Sequence, residues 1–183
     1  MAYATLAQLK EYLGVGSTDD DALLGRLLDA ATAAIDQYCN RTFTATSGER
    51  KYYEAMGKFL WLDGDLLSVS GITNGDGNAV TTYALLPANA TPKFAIVLAA
   101  GSWVASATEP ITVTGQWGYS TAPPADIVHA CIRLAAYYYR QKDAQVYDTV
   151  AEPSLGIITV PAGLPADVAR LLDPYRRFAY GNA

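Results

Sequence analysis

Leu164-Pro165-Ala166-Asp167-Val168-Ala169-Arg170-Leu171-Leu172-Asp173-Pro174-Tyr175-Arg176-Arg177 lies near the end of a chain of 183 residues. It reads as a short amphipathic helix opened by a proline, which suits the first helical turn. A second proline, Pro174, interrupts it. A helix this short is marginal alone and must lay its apolar side against a surface. The segment before it, residues 143–163, has no helical period. Its apolar run Leu155-Gly156-Ile157-Ile158-Thr159-Val160-Pro161 is expected to form a strand or an extended arm that needs a strand edge or a partner to cover it. Leu155, Ile157, Ile158 and Val160 on the arm are candidate contacts with a partner or a sister subunit. Val168, Leu171, Leu172 and Tyr175 join them as anchors of a helix-in-groove contact, with Arg176 and Arg177 as its charged edge.

Three further helices are legible upstream. Thr5-Leu6-Ala7-Gln8 is a capping-box pattern, and Gly14 is a natural stop, so a helix is expected over about 5–13. Ser17-Thr18-Asp19-Asp20-Asp21 then places three carboxylates where a helix dipole is positive. Leu23, Leu24, Leu27, Leu28, Ala31, Ile35 and Tyr38 recur at helical spacing, which predicts a helix over about 19–39. The Asp triple is read as capping and solvated charge rather than a metal site, because the sequence places no further ligand beside it. Pro123-Pro124-Ala125-Asp126 opens a third helix reaching about residue 142. Tyr137-Tyr138-Tyr139 must fan around its axis, so at least one of them cannot face the same core and is expected either at a second contact surface or simply on the outside of the protein.

Residues 42–118 change character, with short β-rich runs between turn clusters. Strands are expected at Lys51–Glu54, Phe59–Leu62, Leu66–Thr73, Val80–Leu85, Ala95–Leu98 and Ile111–Trp117. Asn74-Gly75-Asp76-Gly77 reads as a hairpin turn between two of these. It is not a calcium loop, since Ala79 and Leu85 stand where the glycine and closing glutamate belong. The expected fold class is therefore α+β and mainly helical. It is an antiparallel helix bundle carrying a small inserted antiparallel β region at about 42–118, with a C-terminal helix on an extended loop. In domain terms, residues 1–146 form the core and 147–183 the loop and docking helix.

Composition narrows the function. Half the residues are apolar (51%) and only 17% are charged, slightly apolar for a solitary monomer, and the thirteen tyrosines suit protein–protein surfaces. Net charge is −5, concentrated in residues 1–40, where Lys10 and Arg26 face Glu11, Asp19, Asp20, Asp21, Asp29 and Asp36. No basic stripe exists to hold a phosphate backbone. Cys39 and Cys131 match no metal or redox spacing and are expected as buried thiols in a reducing compartment. The sequence shows no signal peptide and no apolar run long enough to span a bilayer, so the chain is expected to be made in the cytoplasm. The single histidine, His129, has Asp126 three residues earlier, but no nucleophile converges on the pair. No catalytic, cofactor or metal motif is present, and no enzyme activity, cofactor or metal is expected.

The order of elements resembles the head–tail connector (adaptor) family of tailed bacteriophages. The likeness is carried by Ala4-Thr5-Leu6-Ala7-Gln8-Leu9-Lys10-Glu11-Tyr12-Leu13-Gly14, by Asp20-Asp21-Ala22-Leu23-Leu24, and by Ala33-Ala34-Ile35-Asp36. Tyr52-Tyr53, Leu66-Leu67-Ser68-Val69, Ile111-Thr112-Val113-Thr114-Gly115 with Gly118-Tyr119, and the two later helices extend it over nearly the whole chain. The resemblance implies a structural protein of the virion neck, at the capsid–tail junction, made in the host bacterial cytoplasm. It implies a ring of twelve copies below the portal that extends the DNA channel. The ring would bind the portal and the next neck or tail component (stopper, tail terminator or tail tube), and DNA would pass without specific binding. The terminal helix and the loop before it would contact the portal or the neighbouring subunit. Asp19, Asp20 and Asp21 would face the lumen or solvent. Alternatives are another neck or tail-completion protein, an enzyme using His129 with Asp126, or a generic intracellular binding module.

Overall fold

The computed structural model describes residues 2–142, 149–152, 156–159 and 163–177. The chain divides into two compact units: a helical one, Met1–Asn40 with Pro124–Arg177, and a β one, Arg41–Pro123.

The helical unit contains α1 (Leu6–Leu13), α2 (Asp21–Cys39), α3 (Ala125–Gln141) and α4 (Ala166–Leu172), the last running into a 3₁₀ turn at Asp173–Tyr175. The capping box at α1 forms as expected. The Gln8 backbone N–H donates to Thr5 Oγ1 at 3.2 Å, and the Thr5 N–H donates to Gln8 Oε1 at 2.8 Å. Gly14 closes the helix at φ +70°, a left-handed conformation that glycine adopts without a Cβ penalty. Leu9, Leu24, Ile35, Ile127 and Leu134 are fully buried. The equally buried Ala31, Ala130 and Ala135 carry small side chains that permit close packing of helices. Cys39 and Cys131 are free and buried, and burial pushes the Cys131 thiol up. Before α4, β6 (Thr149–Glu152) and β7 (Gly156–Thr159) pair antiparallel, with Val150 opposite Ile158 and Ala151 opposite Ile157. The strand expected in the apolar arm is thus β7, and Leu155 and Val160 lie outside the described residues.

The β unit is one five-stranded antiparallel sheet in the order β1-β5-β2-β4-β3. Its strands are β1 (Thr46–Tyr52), β2 (Phe59–Thr73), β3 (Tyr83–Leu86), β4 (Lys93–Leu98) and β5 (Ile111–Trp117). One face buries a continuous core that includes Leu60, Leu62, Leu66, Ile96, Val113 and Trp117.

A mainly helical bundle with a small β insertion is therefore not the architecture. The described helices and strands are comparable in extent, so the fold is α+β with two comparable parts. The physical reason lies in β2. Phe59–Leu62 and Leu66–Thr73, expected as two strands, are one 15-residue strand. Its pairing shifts register between Trp61 and Leu66 and again between Leu66 and Ser68 and between Val69 and Gly71. Such bulges break the alternation that makes a strand legible. A strand of that length joins both halves of the sheet and gives the β region a core of its own.

The turn at Asn74-Gly75-Asp76-Gly77 also differs from expectation. The Gly77 N–H donates to the Asn74 carbonyl at 2.9 Å, and the Val80 N–H donates to the Ile72 carbonyl at 2.9 Å. The ladder stops there, at the single Thr73–Ala79 bridge. Tyr83–Leu86 pairs with β4 instead of β2.

Candidate interaction surfaces

The C-terminal helix was the leading candidate for contact with another molecule, and its side chains are divided. Val168 and Leu172 are buried, at 1% and 0% exposure, in the core of the helical unit. Leu171, Tyr175 and Arg177 are half-buried, and Arg176 is exposed. Polar contacts fasten the same segment to α2 and α3. Tyr38 Oη donates to Asp173 Oδ1 at 2.7 Å, and this bond pushes the phenol up. Tyr175 Oη donates to Asp126 Oδ2 at 3.3 Å, and Arg133 pairs with Asp167. The Arg177 N–H donates to the Cys39 carbonyl at 2.8 Å, and the Arg176 guanidinium lies 5.1 Å from the Tyr38 ring centre. Within its own unit the helix already has the surface that its amphipathic pattern demanded.

The acidic start of α2 is partly neutralised. Asp20 stands at the cap position, yet its side chain makes no cap hydrogen bond. Its carboxylate accepts from Tyr139 Oη at 2.5 Å and from Lys142 Nζ at 3.0 Å. Those two bonds hold the Asp20 carboxyl below its usual range and push Tyr139 and Lys142 up. Asp21 pairs with Lys10 at 2.6 Å. Asp19, exposed, accepts from Ser17 Oγ at 2.5 Å. The triple thus ties α1 and α3 to the start of α2, and it presents less net charge than its composition implied.

Tyr139 accounts for one member of the tyrosine triplet. Tyr137 and Tyr138 are half-buried, their rings in tilted contact at 6.2 Å. Tyr38 and Tyr138 line an open cavity of about 470 Å³ with Ala34, Gln37, Gly163 and Leu164.

Among the described residues, apolar exposure is concentrated in the β unit. Tyr53, Met56, Phe59, Trp61 and Val104 are exposed large hydrophobics there, against Tyr12 in the helical unit. Phe59, Trp61 and Phe94 form a stacked ladder, with successive ring centres 6.0 Å apart and planes 13° and 4° from parallel. Sequence reasoning missed this surface, although Phe59-Leu60-Trp61-Leu62 carried the signal. A strand with large apolar residues at every position has both faces apolar, and only one face can meet its own core.

The His129–Asp126 pair gains no catalytic geometry. His129 is exposed and stands edge-on to Tyr12, with ring centres 6.5 Å apart, while Asp126 receives Tyr175. Among the described residues there is no group of three His, Cys, Asp or Glu that could hold a metal ion. No described helix is long and apolar enough to cross a membrane.

A family model described as head completion protein matches residues 2–178. The chain belongs to that family. The phage head–tail connector resemblance drawn from the sequence therefore stands. No curated protein matches the chain in sequence. Solved structures of similar fold include a chain from the neck of an empty gene transfer agent particle computed with C6 symmetry. It is 18% identical, with a TM-score of 0.66, and the match covers 98% of this chain and 93% of that one. Another is from the neck of a native particle computed with C12 symmetry, at 20% identity and a TM-score of 0.64, covering 98% and 92%. A third, from the virion of the native particle, is 21% identical at a TM-score of 0.64, covering 98% and 93%. These three chains share the fold of this one over almost their whole length.

Proposed function

We propose that the protein is a structural, non-catalytic component of the virion neck, placed at the capsid–tail junction. The family match over residues 2–178 carries this reading. Copies form a ring, of twelve in keeping with the C12 neck of the similar particle. The ring sits below the portal, extends the DNA channel and carries the next neck or tail component. A closed ring needs two different faces on every copy. A net charge of −5 suits a conduit through which DNA passes without being held.

In this reading α4 is held to its own unit by Val168 and Leu172. The outward side of the segment, with Leu171, Tyr175, Arg176 and Arg177, contacts the portal or the neighbouring copy. The apolar arm with Leu155, Ile157, Ile158 and Val160 adds to that contact, and Asp19 is the acidic group facing lumen or solvent. Mass photometry of the purified chain, alone and with its portal, tests the proposal. A ring, or a portal-bound ring, is expected. A persistent monomer with no portal association at micromolar concentration contradicts it.

A further inference from the structure

The outer face of the β-sheet is two different surfaces. Where β1, β5 and the second half of β2 lie side by side, its residues are polar: Glu49 and Lys51 stand opposite Thr114 and Thr112, and Ser68 opposite Gln116. That is the ordinary condition of an antiparallel sheet with one side in water. Where the first half of β2 meets β4 and β3, the same face turns apolar. Phe59 stands opposite Val97 and Trp61 opposite Ala95, and on the next strand Ala84 and Leu86 stand opposite Val97 and Ala95. Phe94 completes the stack on Trp61. Phe59 and Trp61 are 40% and 44% exposed. A stacked, uncharged aromatic patch with a polar surround marks a contact surface.

We propose that this aromatic ladder is the surface by which one copy of the chain binds the next. The proposal rests on the ring reading above and adds the face used. Three observations favour a second copy as occupant. Chains of this fold occur in necks computed with C6 and C12 symmetry. Identical copies each carrying −5 repel, so they meet at least electrostatic cost through an uncharged face. Finally, the sheet's edges are poor templates for strand pairing between copies. The β1 edge carries Glu49, Arg50 and Lys51, and the β3 edge is only four residues long and is followed by Pro87. A neighbour therefore meets the sheet on its face. In a ring the contact is heterologous, so the neighbour brings a different patch.

Trp61 supplies its own probe. The other two tryptophans, Trp103 and Trp117, are 8% and 4% exposed. Acrylamide quenching of tryptophan fluorescence therefore reads Trp61. Light scattering and quenching are measured together on the whole chain over rising micromolar concentration. Assembly is expected to lower the quenching several-fold. Trp61→Glu and, independently, Phe59→Glu are expected to weaken assembly about tenfold or more, as loss of an interface anchor does, with circular dichroism unchanged. Val104→Glu, beside the Asn74–Gly77 turn, is expected to assemble normally. A ring in which Trp61 stays as quenchable as in the monomer overturns the ladder as the contact and leaves the ring reading standing. So does normal assembly of the folded Trp61→Glu chain. No assembly at all overturns the ring reading and this surface with it.

Discussion

Among the described residues, the last helix of the helical unit buries its apolar anchors within that unit, while the outer face of the sheet in the β unit keeps two large aromatic rings partly exposed. Val168 and Leu172 of the last helix are as buried as Leu24 and Ile35 of α2. Phe59 and Trp61 remain 40% and 44% exposed on a sheet whose opposite face is a closed core. The difference teaches that an amphipathic element near a chain end is not by itself a docking device. Amphipathicity states that one side will be covered, and the nearest cover is often the same unit. Exposed apolar surface is the better guide to partners, and among the described residues most of it lies in the β unit.

The sharpest way to break this comparison is Leu172→Ala. If α4 belongs to the core of its unit, the substitution costs about 2–5 kcal/mol, the range for emptying a fully buried leucine site. Chemical denaturation measures it. A near-neutral result would return α4 to the status of a loose docking arm. Gly115→Ala probes the closed side of the β unit. A Cβ there would run into the Ser68 carbonyl oxygen of β2, so about 1–3 kcal/mol of destabilisation is expected, read the same way.

Acid sharpens the comparison further. Burial raises the Asp63 carboxyl, but hydrogen bonds from Arg50 and Tyr52 outweigh it, and the net position is below the ordinary value of 3.8. The resulting stability is present above that ordinary value and is lost as pH falls through the lower folded one. Asp36 in the helical unit runs the other way. Burial raises it and the Tyr3 hydrogen bond offsets this only in part, so acid favours its folded form. Asp63→Asn should therefore flatten the loss of stability between about pH 5 and about pH 2, where Asp36→Asn should not. The Asp63 side chain is 67% exposed, so its effect should stay within about 1 kcal/mol. Denaturation midpoints across that range decide it. The smallest effect is expected for Arg133→Ala. Its pair with Asp167 is 38% and 45% exposed and should contribute about 0–1 kcal/mol. A larger loss would mean that charge, and not the burial of Val168 and Leu172, holds α4 in place.

The sequence was most legible where structure is set locally. Thr5 with Gln8, Gly14 and the spacing of Leu24, Leu28 and Ile35 marked α1 and α2 because caps and helical period involve residues three or four apart. The order of elements carried the family resemblance for the same reason. Legibility failed where distant residues decide. Asp20 had every feature of a helix cap, yet Tyr139 and Lys142, more than a hundred positions later, took its carboxylate. The sheet order places β5 between β1 and β2, a pairing that no local pattern states. Asp63, Gly64 and Asp65 looked like a break between two strands because a bulge interrupts alternation there. The sheet's strength was thereby underestimated. The exposed ladder was written in the doubled apolar pattern at Phe59–Leu62, but reading it required knowing which face the core would take.

A reconstruction of the neck of the particle that contains this chain tests the central claim most directly. The account predicts a ring of copies at the capsid–tail junction, each with Phe59, Trp61 and Phe94 against its neighbour and with Val168 and Leu172 inside its own helices. A single copy, or a ring whose ladder faces solvent while α4 swings into the neighbour, would contradict it.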